Sequence, residues 1–522
     1  MTIKGKIKPG EYFDSVTLML AGRELSKLPG VRDAAVVMGT RENLAILEAS
    51  GLLCPELGAA RDTDLLLAVS ADDEAAADQA LAAADRLLAD RKHAPDSGTA
   101  EAAPRSLAGA LRQQPDSRLA LISVAGRYAA AEAWNALDRG LHVMLFSDNV
   151  ALEAEIDLKR AARERGLLVM GPDCGTAIVN GIPLGFANVV ERGGVGIVAA
   201  AGTGLQEVSV LVSNAGAGIS QALGTGGRDV KEAVGGIMFV EALRALADDP
   251  ATTVILLVSK PPHPAVIERI AAACRGIAKP VVSVFLGAPA ATAGAFSTYT
   301  AATLEEAALV AARIARGRAP AAAAAVEAVR QELAARDAAL RKEAEETARK
   351  LPLGRRYLRG LFSGGTFCAE AQLVLKGTLA PLWSNAPAGS ARSLDDPLHS
   401  RENTLVDLGE DEFTVGRPHP MIDYDLRQRR LAREIRDPET AVILLDVVLG
   451  YGSHPDPAGE LAPLIREAAG GPVVVGSVTG TDRDPQDRSR VVGVLEEAGM
   501  RVLPSNAAAA LLAGAICARR QG

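Results

Sequence analysis

The strongest constraint on the fold is a series of short segments that are apolar on nearly every residue. VGIVAA (195–200), GISQAL (218–223), TTVILLVS (252–259) and PVVSVFL (280–286) follow one another with helical patterns between them. A strand with one face in water alternates polar and apolar side chains, so a strand without alternation is buried on both faces. Such strands belong to parallel sheets sandwiched between helices, and the chain is expected to be an α/β protein. The same rhythm returns near the C-terminus in AVILLDVVLG, PVVVGSV and MRVLP.

The boundaries follow from changes in this rhythm. Residues 1–92 hold GKIKP, AAVVMG and DLLLAVS with helical patterns between them and read as a small α/β module, compatible with a split βαβ sandwich. Residues 93–116 are polar, proline-bearing and aperiodic at their start, as expected of a linker. Residues 117–192 alternate strictly between strand and helix in a Rossmann-like half. Residues 193–317 contain the four apolar strands, 318–352 form an Ala/Glu/Arg-rich helical connector, and 353–522 a second open sheet.

With 522 residues the chain is long enough for about three to five domains. Its net charge of −8 gives no electrostatic case for nucleic acid or an anionic membrane, and RQRRLAR (427–433) reads as a solvated helix face. Five scattered cysteines without a CxxC pair argue against a disulfide framework and against a metal site. With no apolar signal core and no membrane-length apolar run, the expected location is the cytoplasm.

Chemistry is expected where the strands end. GTGLQE (202–207) follows VGIVAA: Gly202 and Gly204 allow a ligand close to the backbone, and Thr203 can cap the helix or offer its hydroxyl. The first N–H groups of a helix lack intrahelical partners and carry partial positive charge, so such a turn suits phosphate or carboxylate. Similar turns recur in GTGGRD with Arg228, in FSGGTFCAE with Gly364, Gly365 and Thr366, in LGYGSHPDP with Gly450, Gly452 and His454, and in VTGTDRD with Thr479 and Gly480. Each is also compatible with an ordinary βα turn.

The order GPDCGT (171–176), then GIVAAAGTGLQE, then GTGGRD resembles the α-subunit of succinyl-CoA synthetase and related NDP-forming acyl-CoA ligases. The stretch from GGTFCAEA through LLDVVLGYGSHPDPA and VTGT to MRVLP resembles the last domain of the β-subunit, fused here without a recognisable ATP-grasp domain. The resemblance implies a CoA-binding-type Rossmann domain followed by flavodoxin-like synthetase domains. FDSVTLM, LISVAG, MLFSDNV, FANV, SKPP, FTVGRPHPMID and TGTDRDPQ make the chain similar, over essentially its whole length, to the FdrA family. That family is labelled acyl-CoA synthetase by similarity and is associated with allantoin breakdown, as one subunit of oxamate carbamoyltransferase beside a carbamate kinase.

Two departures shape the expected mechanism. The ligases carry phosphate on a histidine in a GHAGA loop, whereas the corresponding GAPAATAGAFSTYT (287–300) has none, which leaves Glu207 without the partner it has in that family. The glycine-rich first turn of the CoA-binding domain is reduced to KPGEYFDS, which speaks against CoA. The expected function is therefore one subunit of a multi-subunit carbamoyltransferase, exchanging a carbamoyl group between oxalurate and phosphate without a phosphohistidine. The ligands would be phosphate or carbamoyl phosphate, and the partners other transferase subunits in an oligomer. The alternatives are an NDP-forming acyl-CoA synthetase and a non-catalytic scaffold subunit.

In the expected site the turns Gly202-Thr203-Gly204 and Gly450-Tyr451-Gly452 face each other across one phosphate, with Arg228 or Lys260 adding charge. Glu207, Arg417, His419 and His454 are the candidate catalytic groups. Gly171, Pro172, Asp173 and Cys174 form a structural or substrate loop, Cys174 being read as a packing residue rather than a nucleophile.

Overall fold

The segments that lack alternation do become strands of two large sheets with helices between them, all but MRVLP as inner strands. The computed structural model describes residues 2–11, 13, 15–92, 104, 106–288, 299–317, 322–414 and 418–521. They fall into two units, Met1–Pro104 with Asp411–His419, and Arg105–Glu410 with Pro420–Gly522.

The first unit contains β1 (Thr2–Lys8), α1 (Ser15–Ser26), β2 (Val31–Met38), α2 (Arg41–Ala49), β3 (Leu65–Ala71) and α3 (Glu74–Lys92). The sheet is antiparallel in the order β1-β3-β2. Central β3 is buried along its whole length, and the two-residue period of a strand divides it. Leu65 and Leu67 pack with Leu18, Leu25 and Leu88 of α1 and α3, while Leu66 and Ala68 pack with Leu47, Cys54 and Leu57.

The second unit begins with α4 (Leu107–Gln113), a short helix inside the expected linker, capped by Ser106 Oγ accepting from Gly109 N–H at 3.1 Å. Residues 93–103 of that linker lie outside the described residues. A parallel sheet follows, formed by β4 (Leu119–Ile122), β5 (His142–Leu145) and β6 (Val169–Met170), with α5 (Gly126–Leu137) and α6 (Leu152–Glu164) between them.

A hairpin comes next, β7 (Thr176–Val179) and β8 (Ile182–Gly185), which interrupts the strand–helix alternation expected of residues 117–192. Its turn, Asn180-Gly181, has φ of 52° and 81°, the left-handed pair that a two-residue hairpin requires. It borders a seven-stranded sheet of order β13-β12-β11-β9-β10-β7-β8. The parallel strands there are β9 (Arg192–Ala199), β10 (Ile219–Gly224), β11 (Val254–Ser259), β12 (Val281–Phe285) and β13 (Tyr299–Thr300). The helices α7 (Gly202–Asn214), α8 (Ile237–Asp248), α9 (Pro264–Cys274) and α10 (Leu304–Ala315) cover it.

The connector is one long helix, α11 (Ala322–Lys350). It is more than a spacer, because Val329, Leu340, Ala344 and Ala348 are buried in the core it shares with both large sheets. The last sheet is parallel throughout, in the order β16-β15-β17-β14-β18-β19-β20. Its elements are β14 (Tyr357–Phe362), α12 (Gly365–Leu375), β15 (Leu382–Ser384), β16 (Arg392–Ser393), β17 (Asn403–Asp407), α13 (Asp411–Thr414, placed with the first unit), α14 (Asp425–Arg436), β18 (Thr440–Val448), α15 (Pro457–Glu467), β19 (Val473–Thr479), α16 (Arg488–Glu497), β20 (Arg501–Leu503) and α17 (Asn506–Gln521).

RQRRLAR is a solvated face only in part: Arg429 and Arg433 are exposed, whereas Arg427 and Arg430 are buried. Arg427 is 1% exposed and Arg430 4%. Arg427 Nη2 pairs with Asp446 Oδ1 at 3.0 Å, because a carboxylate in the middle of apolar β18 requires a buried cation. Among the described residues no helix is long and apolar enough to cross a membrane.

Candidate functional site

The site is built from two helix starts supplied by different sheets. At the start of α7 the cap residue Ala201 is extended and provides no side-chain cap; at the start of α12 the cap is Gly364, equally bare. These two turns meet. A methyl group on Gly364 would lie 2.7 Å from Thr203 Cγ2 and 2.8 Å from Thr203 Oγ1, and one on Gly204 would lie 3.0 Å from Thr366 Cγ2. Glycine is required here because the two turns approach closely, and the first N–H groups of both helices have no intrahelical partner. Beside Gly202 there is open space.

Two side chains converge on the start of α12. A methyl group on Gly365 would lie 2.5 Å from Asp407 Oδ2 and 3.4 Å from Lys260 Nζ. Asp407 ends β17 and Lys260 follows β11, so each large sheet contributes one. Burial pushes the Asp407 carboxyl up to about 7, the Gly409 N–H bond opposing it.

One helical turn further in, both helices carry a buried glutamate. Glu207 accepts from Thr479 Oγ1 at 2.5 Å and from Asn506 N–H at 3.1 Å. Glu370 accepts from Leu304 N–H and from Asn506 Nδ2, each at 2.8 Å. Asn506, the first residue of α17, thus holds both carboxyls. Burial raises each of them to about 7, against the hydrogen bonds that favour the charged form.

The turn facing Gly202-Thr203-Gly204 is therefore Gly364-Gly365-Thr366, not the expected Gly450-Tyr451-Gly452. Gly450 and Gly452, with φ of 106° and 79°, pack instead on Ala187 and the Phe186 ring, and Tyr451 N–H donates to Ala187 O at 3.0 Å. The hydroxyl of Thr479 is directed at Glu207, and Gly480 O accepts from Asn214 Nδ2 at 3.1 Å.

The guanidinium of Arg228 pairs with Glu155 at 2.9 Å and donates to Val150 O at 2.8 Å, tying the loop after β10 to α6. In the 171–174 loop, Asp173 N–H donates to Ser147 O and Cys174 N–H to Leu145 O, both at 3.0 Å. Gly171 and Pro172 pack against Gly226 of the GTGGRD turn. Cys174 is buried and its thiol is pushed up to about 12, so it packs as a small apolar group.

His454 is nearly buried: its Nδ1 accepts from Asp456 N–H at 3.1 Å and its ring meets Tyr424 edge-on. Its contacts hold the loop before α15. His419 lies in the segment placed with the first unit, and Arg417 lies outside the described residues, as do residues 289–298 of the histidine-free loop. Among the described residues no three His, Cys, Asp or Glu side chains are placed to hold a metal ion.

The sequence reading missed Glu370, Asn506 and Asp407. For Glu370 there was a signal: Thr203 to Glu207 and Thr366 to Glu370 share one spacing of four, each after a glycine turn.

Two large sheets of mainly parallel strands with helices between them make this an α/β protein, and its last sheet is of the CoA-ligase type. Residues 361–516 match the family model described as CoA-ligase, and residues 1–104 match the model described as AllF, heavy metal-associated domain. The chain belongs to the family of "Uncharacterized protein YahF" of Escherichia coli (strain K12), being 41% identical to it over 520 residues and covering 98% of both chains. The α subunit of an ADP-forming succinate–CoA ligase from Methanothermobacter thermautotrophicus is 28% identical over 181 residues, which is 34% of this chain and 60% of that one.

Among solved structures, PH0766 from Pyrococcus horikoshii OT3 aligns with 78% of this chain and 85% of its own, at 14% identity and a TM-score of 0.32. Dinucleotide-forming acetyl-coenzyme A synthetase 1 of Ca. Korarchaeum cryptofilum aligns with 78% and 84%, at 16% identity and a TM-score of 0.31.

Proposed function

We propose that the chain is a group-transfer subunit of the acyl-CoA synthetase type, in which the facing starts of α7 and α12 hold a phosphate while an acyl group passes between it and an acceptor. The observation that carries this reading is the pair of uncapped helix starts from two sheets, with Lys260 beside one of them. Oriented N–H groups and a cation there favour a phosphate and the oxyanion of a tetrahedral intermediate. The match to the CoA-ligase model and the likeness to a succinate–CoA ligase α subunit support CoA as the acceptor. With no histidine in 287–300, the reading favours direct exchange with bound phosphate over a phosphohistidine relay.

A second reading makes the transferred group carbamoyl, as in the FdrA-type oxamate carbamoyltransferase, working with other subunits and a carbamate kinase. It is favoured by the AllF description that residues 1–104 match. Labelled phosphate exchange separates the two. Label entering succinyl or acetyl phosphate in a CoA-dependent way supports the synthetase reading, and label entering carbamoyl phosphate in an oxamate-dependent way supports the transferase. Absence of phosphate binding to the full chain overturns both.

A further inference from the structure

We propose that Asp407 and Lys260 act together in this site, Asp407 protonating the leaving atom of the transferred group and Lys260 holding the phosphate beside it. The inference rests on the group-transfer reading and adds to it the residue that moves the proton and the one that holds the phosphate. Neither side chain belongs to the helix starts themselves, and they reach the same point from different sheets, Asp407 from the end of β17 and Lys260 from the residue after β11.

Asp407 is 2% exposed and firmly held. Its N–H donates to Asn385 Oδ1, its carbonyl accepts from Asn385 Nδ2, and its Oδ1 accepts from Gly409 N–H, all at 2.9 Å. The other oxygen, Oδ2, is the atom nearest the position of a side chain on Gly365, at the first residue of α12. A general acid must lie within hydrogen-bond reach of the reacting atoms and keep its proton near neutral pH. Burial supplies the second condition, with Glu410 and Asp446 raising the carboxyl further and Lys260 opposing them.

The step balances without an external oxidant or reductant. A phosphate oxygen attacks the carbonyl carbon of an amide or thioester, and the carbon–nitrogen or carbon–sulfur bond breaks with its electron pair on the leaving atom. That atom takes the Asp407 proton, the phosphate releases its own proton to water on becoming the acyl or carbamoyl phosphate, and Asp407 regains one from water, so the protons balance.

Inorganic phosphate is a sufficient probe. A phosphate bound beside Asp407 draws a proton onto its carboxyl, so titration calorimetry of the full chain at pH 7.5, in two buffers of different ionisation enthalpy, should show proton uptake on binding. Asp407→Asn should bind phosphate within about 3-fold of wild type while taking up clearly fewer protons, and Asp407→Ser, which removes the carboxyl without adding bulk, should behave alike. Lys260→Gln should weaken phosphate at least 10-fold. Wild-type proton uptake in the Asp407 variants, or wild-type affinity in Lys260→Gln, overturns the inference and leaves the group-transfer reading standing. A wild-type chain that binds no phosphate overturns that reading as well.

Discussion

Glu207 and Glu370 are fully enclosed, yet each accepts hydrogen bonds that a carboxylate makes best, so burial and bonding pull their titration in opposite directions. Burial wins, and both sit at about 7. The consequence for stability follows from linkage. An unfolded glutamate ionises near pH 4.5, and the folded one holds its proton until about pH 7. The native state therefore binds more protons between those values. Stability should fall as pH rises through that window and level off above it.

Glu207→Gln keeps an acceptor for Asn506 N–H and gains a donor for Thr479, while removing one titrating group. Its melting temperature should fall less than the wild type's between pH 5 and 8; equal slopes would mean that Glu207 ionises normally. The spacing Thr-x-x-x-Glu was legible at this scale, whereas Asn506 was not, because it reaches Glu207 across 299 positions of sequence. Asp446 offered a signal that composition obscured: a carboxylate within a run of apolar strand residues calls for a buried cation, and Arg427 meets it.

At the scale of elements, what matters is how closely two helix starts can approach. Glycine at 364 lets the α12 turn lie against Thr203, and any side chain there forces Thr203 and Phe367, or the turns themselves, to shift. Gly364→Val adds branched bulk where even its Cβ would lie 2.7 Å from Thr203 Cγ2. We expect phosphate affinity to fall at least 10-fold by titration calorimetry, with far-ultraviolet circular dichroism unchanged; undiminished affinity would place the anion elsewhere. Strand periodicity made the parallel strands legible because double burial erases alternation. Which turn faces which was not legible, since all five turns place glycine beside a hydroxyl side chain and only the order of strands in the sheets selects the pair. The hairpin of β7 and β8 was available in the dipeptide Asn180-Gly181, set between the short apolar segments TAIV and IPLG.

At the scale of the second unit, the two large sheets are joined by a polar seam as well as by the core that α7, α10, α11 and α17 share. Asp484 lies at its centre: Oδ1 accepts from Val189 N–H at 2.7 Å, and Oδ2 accepts from Asn188 Nδ2 and Thr481 N–H, each at 2.8 Å. FANV and TGTDRDPQ, separate motifs in the sequence, are thus the two sides of one joint, and Thr481 Oγ1 closes it by donating to Val189 O at 2.6 Å. Removing the carboxylate leaves three donors without an acceptor, two of them backbone groups that cannot turn to water. At about 1–3 kcal/mol for each buried unsatisfied donor, with water recovering part of the loss, Asp484→Ala should cost on the order of 3 kcal/mol. Because the seam links both sheets, the loss should lower the urea midpoint of the whole unit; a variant in which only the β18–β20 region melts early would show that the sheets unfold separately. Asp484→Asn, which keeps one acceptor oxygen, should fall between the two.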